Sequence, residues 1–257
     1  MTVRLLELHA EMSMDHRRRL AGTYGVTLAT ALSGDRVFVG SEVPDAACDA
    51  LLNAVAASPR ATRLDDEPPA IAACRRILER EGERLTLQGG PLYVMASDLR
   101  AETGADIVRA DGSDIERLRA ANPGNWEDDE WHDLLDGALG PWTAALVGGR
   151  VVSIAHTPCA MTGRAAECGV TAPSHRGRGY AAATTAAWVA ILRATDRSLF
   201  YATNADNLSS QRVAARLGLR AIGWTWRLER RDPARPSRHP LSRARTAPDS
   251  AERCHLR

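Results

Sequence analysis

The chain contains no lysine: all 33 of its basic residues are arginine, against 32 acidic residues in 257. The five cysteines have no CxxC spacing and no Cys/His cluster has zinc-site spacing, so we expect free thiols in a reducing cytoplasm and no metal. No apolar run approaches the ~20 residues of a membrane span. The charged N-terminus lacks the apolar core of a secretion signal. We therefore expect a cytoplasmic protein.

The formal net charge of +1 hides a basic C-terminal tail, residues 230–257. The tail holds eight arginines against three acidic residues, four prolines and few apolar residues, so we expect it to be disordered. A basic tail can bind nucleic acid, but no aromatic residue is interleaved here to stack on bases. Nucleic acid is therefore not an expected partner.

The rest of the chain predicts two α/β domains, at residues 1–99 and 106–229, joined by the polar segment 97–105. In the first domain, hydrophobic periodicity and turn residues predict helices over 3–20, 44–55 and about 71–78, and strands over 26–32, 36–39, 84–87 and 92–95. The last two strands flank Gly89-Gly90-Pro91, which is typical of a turn. From residue 107 onwards the pattern predicts the order βααβββαβαβ.

The most informative stretch joins a predicted strand, 166–171, to a helix that begins at Gly179. The first turn of a helix presents unpaired N–H groups and the positive end of the helix dipole, which can bind a pyrophosphate. Gly177 and Gly179 would let the backbone approach the anion closely, although both could simply be turn glycines. The stretch lacks the third glycine of the dinucleotide fingerprint and the Gly-Lys-Ser/Thr ending of a P-loop.

Two blocks in this order resemble the GCN5-related N-acetyltransferase (GNAT) superfamily. The first is Arg176-Gly177-Arg178-Gly179-Tyr180-Ala181, which matches the signature [Q/R]-x-x-G-x-[G/A]. The second is Asn207-Leu208-Ser209-Ser210, followed by Leu217-Gly218-Leu219. The resemblance covers about residues 106–229. It implies an α/β fold with a mixed sheet, an acyl-CoA N-acyltransferase fold, with residues 1–99 as an additional domain.

The resemblance also implies acetyl-CoA as the cosubstrate and a set of residues that bind it. Backbone amides of the turn and first helical residues would bind the pyrophosphate, and the preceding strand would pair with the pantetheine arm between splayed parallel strands 166–171 and 198–203. The cofactor-binding residues are then Gly169, Val170, Thr171, Arg176, Gly177, Arg178, Gly179, Tyr180, Ala181, Ala182, Asn207 and Ser210. Asn207 could instead be only a helix cap, and the two roles can coexist.

Acetyl transfer to an amine needs a base for the amine, a donor to the thioester oxygen and a proton for the leaving thiol. Glu167 is the expected base, although it could be a solvated or paired strand carboxylate, and His156 is a second candidate that could be structural. The Val170 N–H is the expected oxygen donor. Many relatives place a tyrosine acid seven residues after the asparagine, but Ala214 stands here, which leaves Tyr201 as the nearest hydroxyl or no dedicated acid.

The acceptor is expected to be a small-molecule or peptide amine. Residues 125–136 carry six carboxylates with Trp126 and Trp131, which could form a wall for a cationic acceptor. The favoured interpretation is instead a solvated acidic helix with its tryptophans packed inward. The sequence thus predicts an N-acetyltransferase that acts by direct attack in a ternary complex. The alternative is a non-catalytic acyl-CoA sensor on the same fold.

Overall fold

A computed structural model describes residues 2–21, 24–80, 84–110, 115–123, 127–138, 140–161 and 164–230. For residues 24, 80, 158–161 and 164–168 the description covers the backbone alone. The helices are α1 (Thr2–Glu11), α2 (Asp45–Ala57), α3 (Pro69–Arg80), α4 (Ile115–Arg119), α5 (Asp128–Leu135), α6 (Tyr180–Leu192) and α7 (Leu208–Arg216). The strands are β1 (Tyr24–Ala31), β2 (Gly34–Val39), β3 (Leu85–Met95), β4 (Asp106–Arg109), β5 (Trp142–Val147), β6 (Arg150–Met161), β7 (Arg164–Thr171), β8 (Ser198–Ala202) and β9 (Arg220–Arg230).

All nine strands belong to one mixed sheet in the order β2-β1-β9-β3-β8-β7-β6-β5-β4. The pair β7–β8 is parallel, and the other neighbouring pairs are antiparallel. Strand β3 precedes residue 99 in the chain but lies between β8 and β9. The sheet is therefore continuous across the boundary expected at residues 99–106. The predicted α/β class with a mixed sheet is confirmed, as is the element order from residue 107.

Helices cover both faces of the sheet, and side-chain alternation along the strands shows which helix lies on which face. On β8, Leu199 packs with α6, whereas its neighbour Phe200 packs with α1. On β6, Ala155 packs with α6 and Ile154 with α5. The same alternation on β1 places α2 and α3 opposite α1. One face thus carries α2, α3, α6 and α7, and the other carries α1, α4 and α5.

The structure contradicts the prediction of two strands around Gly89-Gly90-Pro91, because β3 continues through all three residues. Its pairing with β9 runs from Leu85 to Val94 with one irregularity at Leu92. Gly89 lies against the indole ring of Trp226, and Gly90 lies against the backbone of the loop that follows β8. These glycines therefore make room for neighbours rather than reversing the chain.

The first helix is also shorter than predicted, since α1 ends at Glu11 rather than near residue 20. Asp15 stops the helical pattern: its carboxylate accepts hydrogen bonds from the backbone N–H groups of Arg17 and Arg19, both at 2.9 Å. Such local side-chain to backbone bonds favour turns over helix. Among the described helices, none is long and apolar enough to cross a bilayer. The predicted tail lies outside the described residues, apart from Arg230.

Candidate functional site

Strands β7 and β8 are parallel neighbours for only part of their length. The three pairs are Arg164–Ser198, Ala165–Leu199 and Ala166–Phe200. Beyond them β7 continues to Thr171 and β8 to Ala202 with no further pairing between the two. The splayed pair that the resemblance implied is therefore present. The edge of β7 from 167 to 171 borders an opening in the middle of the sheet.

The hydrogen-bond pattern of β7 decides which backbone groups face this opening. The N–H of Ala172 donates to the carbonyl of Val152 on β6 at 2.9 Å. Because backbone groups alternate in direction along an antiparallel strand, Val170, opposite Ile154, also points its N–H towards β6. The prediction that the Val170 N–H is the donor in the opening is therefore wrong. Gly169 and Thr171 direct their N–H and carbonyl groups into it.

Thr171 fixes the end of this edge through contacts on two sides. Its hydroxyl lies 2.7 Å from that of Ser153 on β6, and its carbonyl accepts a 3.3 Å hydrogen bond from Nε of Arg176. The Arg176 bond confirms that this carbonyl does not point towards β6. Strand β7 therefore reaches the following turn with its last residue held in place.

The turn between β7 and α6 combines a short 3-10 helix, Pro173–His175, with two glycines in the left-handed region. Gly177 has φ +77° and Gly179 has φ +88°. Gly179 is the N-cap of α6, and no side chain of the described residues caps this end. The N–H groups of the first helical turn, from Tyr180 onwards, are therefore free to bind an anion in front of the helix.

The two glycines of this turn have different surroundings. A Cβ atom on Gly177 would meet no atom of the described residues within 4 Å, so the side of the turn that it faces is open among them. A Cβ on Gly179 would lie 2.9 Å from the guanidinium group of Arg216, at the end of α7. Sequence reasoning missed Arg216. The helix dipole stabilises a basic residue in the last turn of a helix, and this alone accounts for Arg216 in the sequence. Nothing in the sequence indicated that its side chain reaches the turn before α6.

The other predicted cofactor contacts cluster at the start of α7. The side-chain oxygen of Asn207 accepts a 3.0 Å hydrogen bond from the N–H of Ser210, so Asn207 caps this helix. The hydroxyl of Ser210 lies 2.5 Å from that of Tyr201 on β8. Tyr201 is almost fully buried. The structure thus brings Asn207, Ser210 and Tyr201 together on the face that carries α6 and α7.

The remaining candidate catalytic positions are buried or have side chains that the structure does not describe. His156 is 3% exposed on β6, between Trp142 of β5 and Cys168 of β7. Glu167 lies on β7, one residue past the last pair with β8, and its side chain is outside the description. Ala214, a residue of α7, is fully buried. Arg178, like Arg176, is exposed beside the glycine turn.

In the acidic segment before β5, Trp131 packs inward, as the favoured interpretation expects. Trp131 is 1% exposed, and its indole N–H donates to the carbonyl of Leu118 at 2.9 Å. Asp128 and Asp129 are exposed in the first turn of α5. Asn125 and Trp126 lie outside the described residues. The buried indole ring of Trp131 cannot contact a cationic acceptor.

One half-buried titratable group lies on the face opposite α6. His9 of α1 has its ring 5.5 Å from that of Phe200, which is the last β8 residue paired with β7. Burial, and secondarily the charge of Arg227, lower the pKa of His9 to about 4. His9 is therefore neutral at pH 7. Within the described residues, no group of histidine, cysteine and carboxylate side chains has the arrangement of a metal site.

Comparison with known proteins finds no matching family model and no matching curated relative. Solved structures do resemble the chain. A GCN5-related N-acetyltransferase from Kribbella flavida is 19% identical, with 64% of this chain and 65% of that chain covered and a TM-score of 0.46. A GCN5-related N-acetyltransferase-like protein from Streptococcus suis is 19% identical, with 85% and 87% covered and a TM-score of 0.43.

A third similar structure is AAC(6')-Iy in complex with a CoA-based bisubstrate analogue, CoA-S-monomethyl-acetylneamine. It is 20% identical over 46% of this chain and 92% of that chain, with a TM-score of 0.35. At TM-scores below 0.5 these likenesses carry no argument about ligands or activity.

Proposed function

We propose that this protein is a cytoplasmic acetyl-CoA-dependent N-acetyltransferase of the GNAT type. The observation that carries the proposal is the continuity of the β7 edge with the glycine turn and the uncapped start of α6. Strand groups that do not pair with β8, a left-handed turn and helix N–H groups follow one another within residues 167–182. A strand edge suits an extended amide-containing chain, and the helix start suits a diphosphate.

The residues present fit coenzyme A. Gly177 has the open side that close approach of a phosphate requires, and Arg176 and Arg178 add positive charge beside it. Arg216, which the sequence did not indicate, adds a third guanidinium at the same turn. Gly169 and Thr171 present the backbone groups that could pair with the pantetheine amides. Asn207 and Ser210 lie at the start of the neighbouring helix, where they would contact the lower part of the cofactor.

When bound, acetyl-CoA supplies an activated acyl group. The N–H of Gly169, which faces the opening, is the donor best placed to stabilise negative charge on a carbonyl oxygen there. Glu167 remains the proposed base, since its position on β7 borders the same opening. Tyr201, whose hydroxyl contacts that of Ser210, is the proposed acid that would give a proton to the leaving thiolate.

The test is calorimetric binding of CoA to Gly177→Ala, with Gly149→Ala as a matched control. Gly149 lies in the β5–β6 hairpin with φ +76°, against +77° for Gly177, and neither has an atom within 4 Å of an added Cβ. Both variants therefore carry the same backbone strain, roughly 1–2 kcal/mol. We expect at least a tenfold loss of CoA affinity for Gly177→Ala and none for Gly149→Ala.

Equal affinities of the two variants for CoA would refute the assignment of the turn. Thiol release across a panel of amines then separates an enzyme from the alternative of a non-catalytic sensor. CoA binding without any thiol release from acetyl-CoA would favour the sensor.

A further inference from the structure

Strand β9 has an apolar face and a polar face, although helices lie on both sides of the sheet. Trp226 and Leu228 pack with α2 and α3. The alternate residues Thr225, Arg227 and Glu229 point to the opposite side, where α1 lies. Thr225 is 6% exposed and Glu229 is 9% exposed. Buried polar side chains are costly unless they are fully partnered or have a function.

The guanidinium group of Arg227 is the least well partnered member of this face. Its Nη2 atom donates to the side-chain oxygen of Asn204 at 3.0 Å. Its Nε atom lies 3.7 Å from the carboxylate of Glu229, which is within ion-pair range but too long for a hydrogen bond. Within the described part of the chain, this buried Nε has no hydrogen-bond partner. The group therefore keeps donors for a further acceptor.

Arg227 and Asn204 lie close to the opening between β7 and β8. Asn204 follows the end of β8 by two residues, in a loop whose backbone contacts Gly90 on the α1 side of β3. His9, whose pKa responds to the charge of Arg227, has its ring beside Phe200 at the edge of the opening. Only β3 lies between β9 and β8, so their axes are about 10 Å apart. An extended arginine side chain can span most of that distance.

We propose that Arg227 and Asn204 bind a carboxylate of the acceptor, so that the acceptor is an amine that also carries an acidic group. This inference rests on the proposed function, because it places the acceptor on the face opposite α6. A carboxylate can pair with the N–H groups of a guanidinium group, and the Arg227 side chain is 24% exposed and already contacts Asn204 through Nη2. The Asn204 amide nitrogen supplies another donor beside them. The proposed acceptor is thus a zwitterion, such as an amino acid, and not a polycation.

The test uses pairs of amines that differ only in carboxylate against carboxamide. The probes are glycine and glycinamide, β-alanine and β-alaninamide, and phenylalanine and phenylalaninamide. Calorimetric binding is measured without CoA, and CoA binding is measured separately without an amine. We expect at least one acid to bind at least tenfold more tightly than its amide. Arg227→Gln should remove that difference, and Arg227→Lys should keep part of it.

Arg36→Gln is the control, because Arg36 pairs with Glu7 on the edge strand β2 and lies away from the opening. It should bind the acids as the parent does. If Arg227→Gln does not fold, Asn204→Ala takes its place, since it removes one contact of the same site. CoA binding should be unchanged in every variant.

Equal binding of acids and amides by the parent, or no binding of any acid, would overturn the inference. If Arg36→Gln loses as much acid binding as Arg227→Gln, the inference is also overturned. Arg227 and Glu229 would then be a structural ion pair. A preference for acids in a protein that fails to bind CoA would contradict the proposed function but support the carboxylate site.

Discussion

Two glycine pairs in this chain are both predicted as turns from the sequence but have different roles in the structure. Gly89 and Gly90 stand before a proline in the middle of β3, where the strand runs straight through them. Gly177 and Gly179 form a real turn, with φ angles of +77° and +88°. The first pair is needed for space, because other parts of the chain press against it. The second pair is needed for a backbone conformation that L-residues rarely adopt.

The comparison shows what kind of information each role requires. A left-handed turn is a local property, so the strand, the turn and the helix around Gly177 could be recognised from neighbouring residues. A close approach depends on residues distant in sequence. Gly90 contacts the loop at Thr203 and Asn204, more than 100 positions away. No period or turn signal near Gly90 could reveal that contact.

The largest expected effect is on the space-filling glycine. In Gly90→Ala the added methyl group would overlap the backbone of Thr203, so the loop after β8 must move. Backbone cannot yield as a side-chain tip can, and we expect a loss of about 4 kcal/mol or more in the free energy of unfolding. Urea unfolding measures it. Gly104→Ala is the control, since no atom lies within 4 Å of its Cβ.

A parent-like unfolding midpoint for Gly90→Ala would show that the loop does not rest on β3. It would also weaken the placement of Asn204 beside Arg227, because the same loop carries Asn204. Gly90 would then no longer be a glycine that makes room for a distant segment, and its contrast with the turn glycine Gly177 would be lost.

A smaller effect is expected at Gly179, where both roles meet. Gly179→Ala should lower the free energy of unfolding by about 2 kcal/mol. Part of this loss comes from the left-handed backbone and part from the contact with the Arg216 guanidinium. Arg216→Ala removes only the second part, so the two changes together should cost less than their sum. A double-mutant cycle in urea measures this coupling, which we expect to be about 0.5–1 kcal/mol.

Strict additivity would show that Arg216 moves aside without cost and does not hold the turn. The pair also explains why Gly177 is the cleaner position for testing CoA binding. A substituent at Gly179 displaces Arg216, so a loss of CoA affinity there would have two causes.

The same division between local and distant information applies to the candidate site. The order of elements, the β5–β6 hairpin, the Asn207 cap and the glycine turn follow from short-range patterns, and the structure agrees with them. The direction of the Val170 N–H depends on its register with β6, and the prediction failed there. Arg216 and Arg227 gave no signal, because their positions near the site follow from helix packing and sheet order.

The smallest expected effect concerns His9, whose pKa is lowered first by burial and then by Arg227, the residue that donates to Asn204 in the loop beside Gly90. The folded-state pKa is about 4 and the ordinary value is 6.5, so the unfolded chain binds a proton first as the pH falls. His9 therefore contributes stability that is present above pH 6.5 and is lost as the pH falls towards 4. We expect a loss of roughly 1–2 kcal/mol between pH 7 and 4.5, after allowance for partial exposure. Comparing urea unfolding of the parent with His9→Gln at both pH values isolates this loss from carboxylate titration.

Asn204→Ala should reduce this pH-dependent loss of stability if the loop holds Arg227 near His9. Parallel stability curves for the parent and His9→Gln would show instead that His9 titrates as an exposed imidazole.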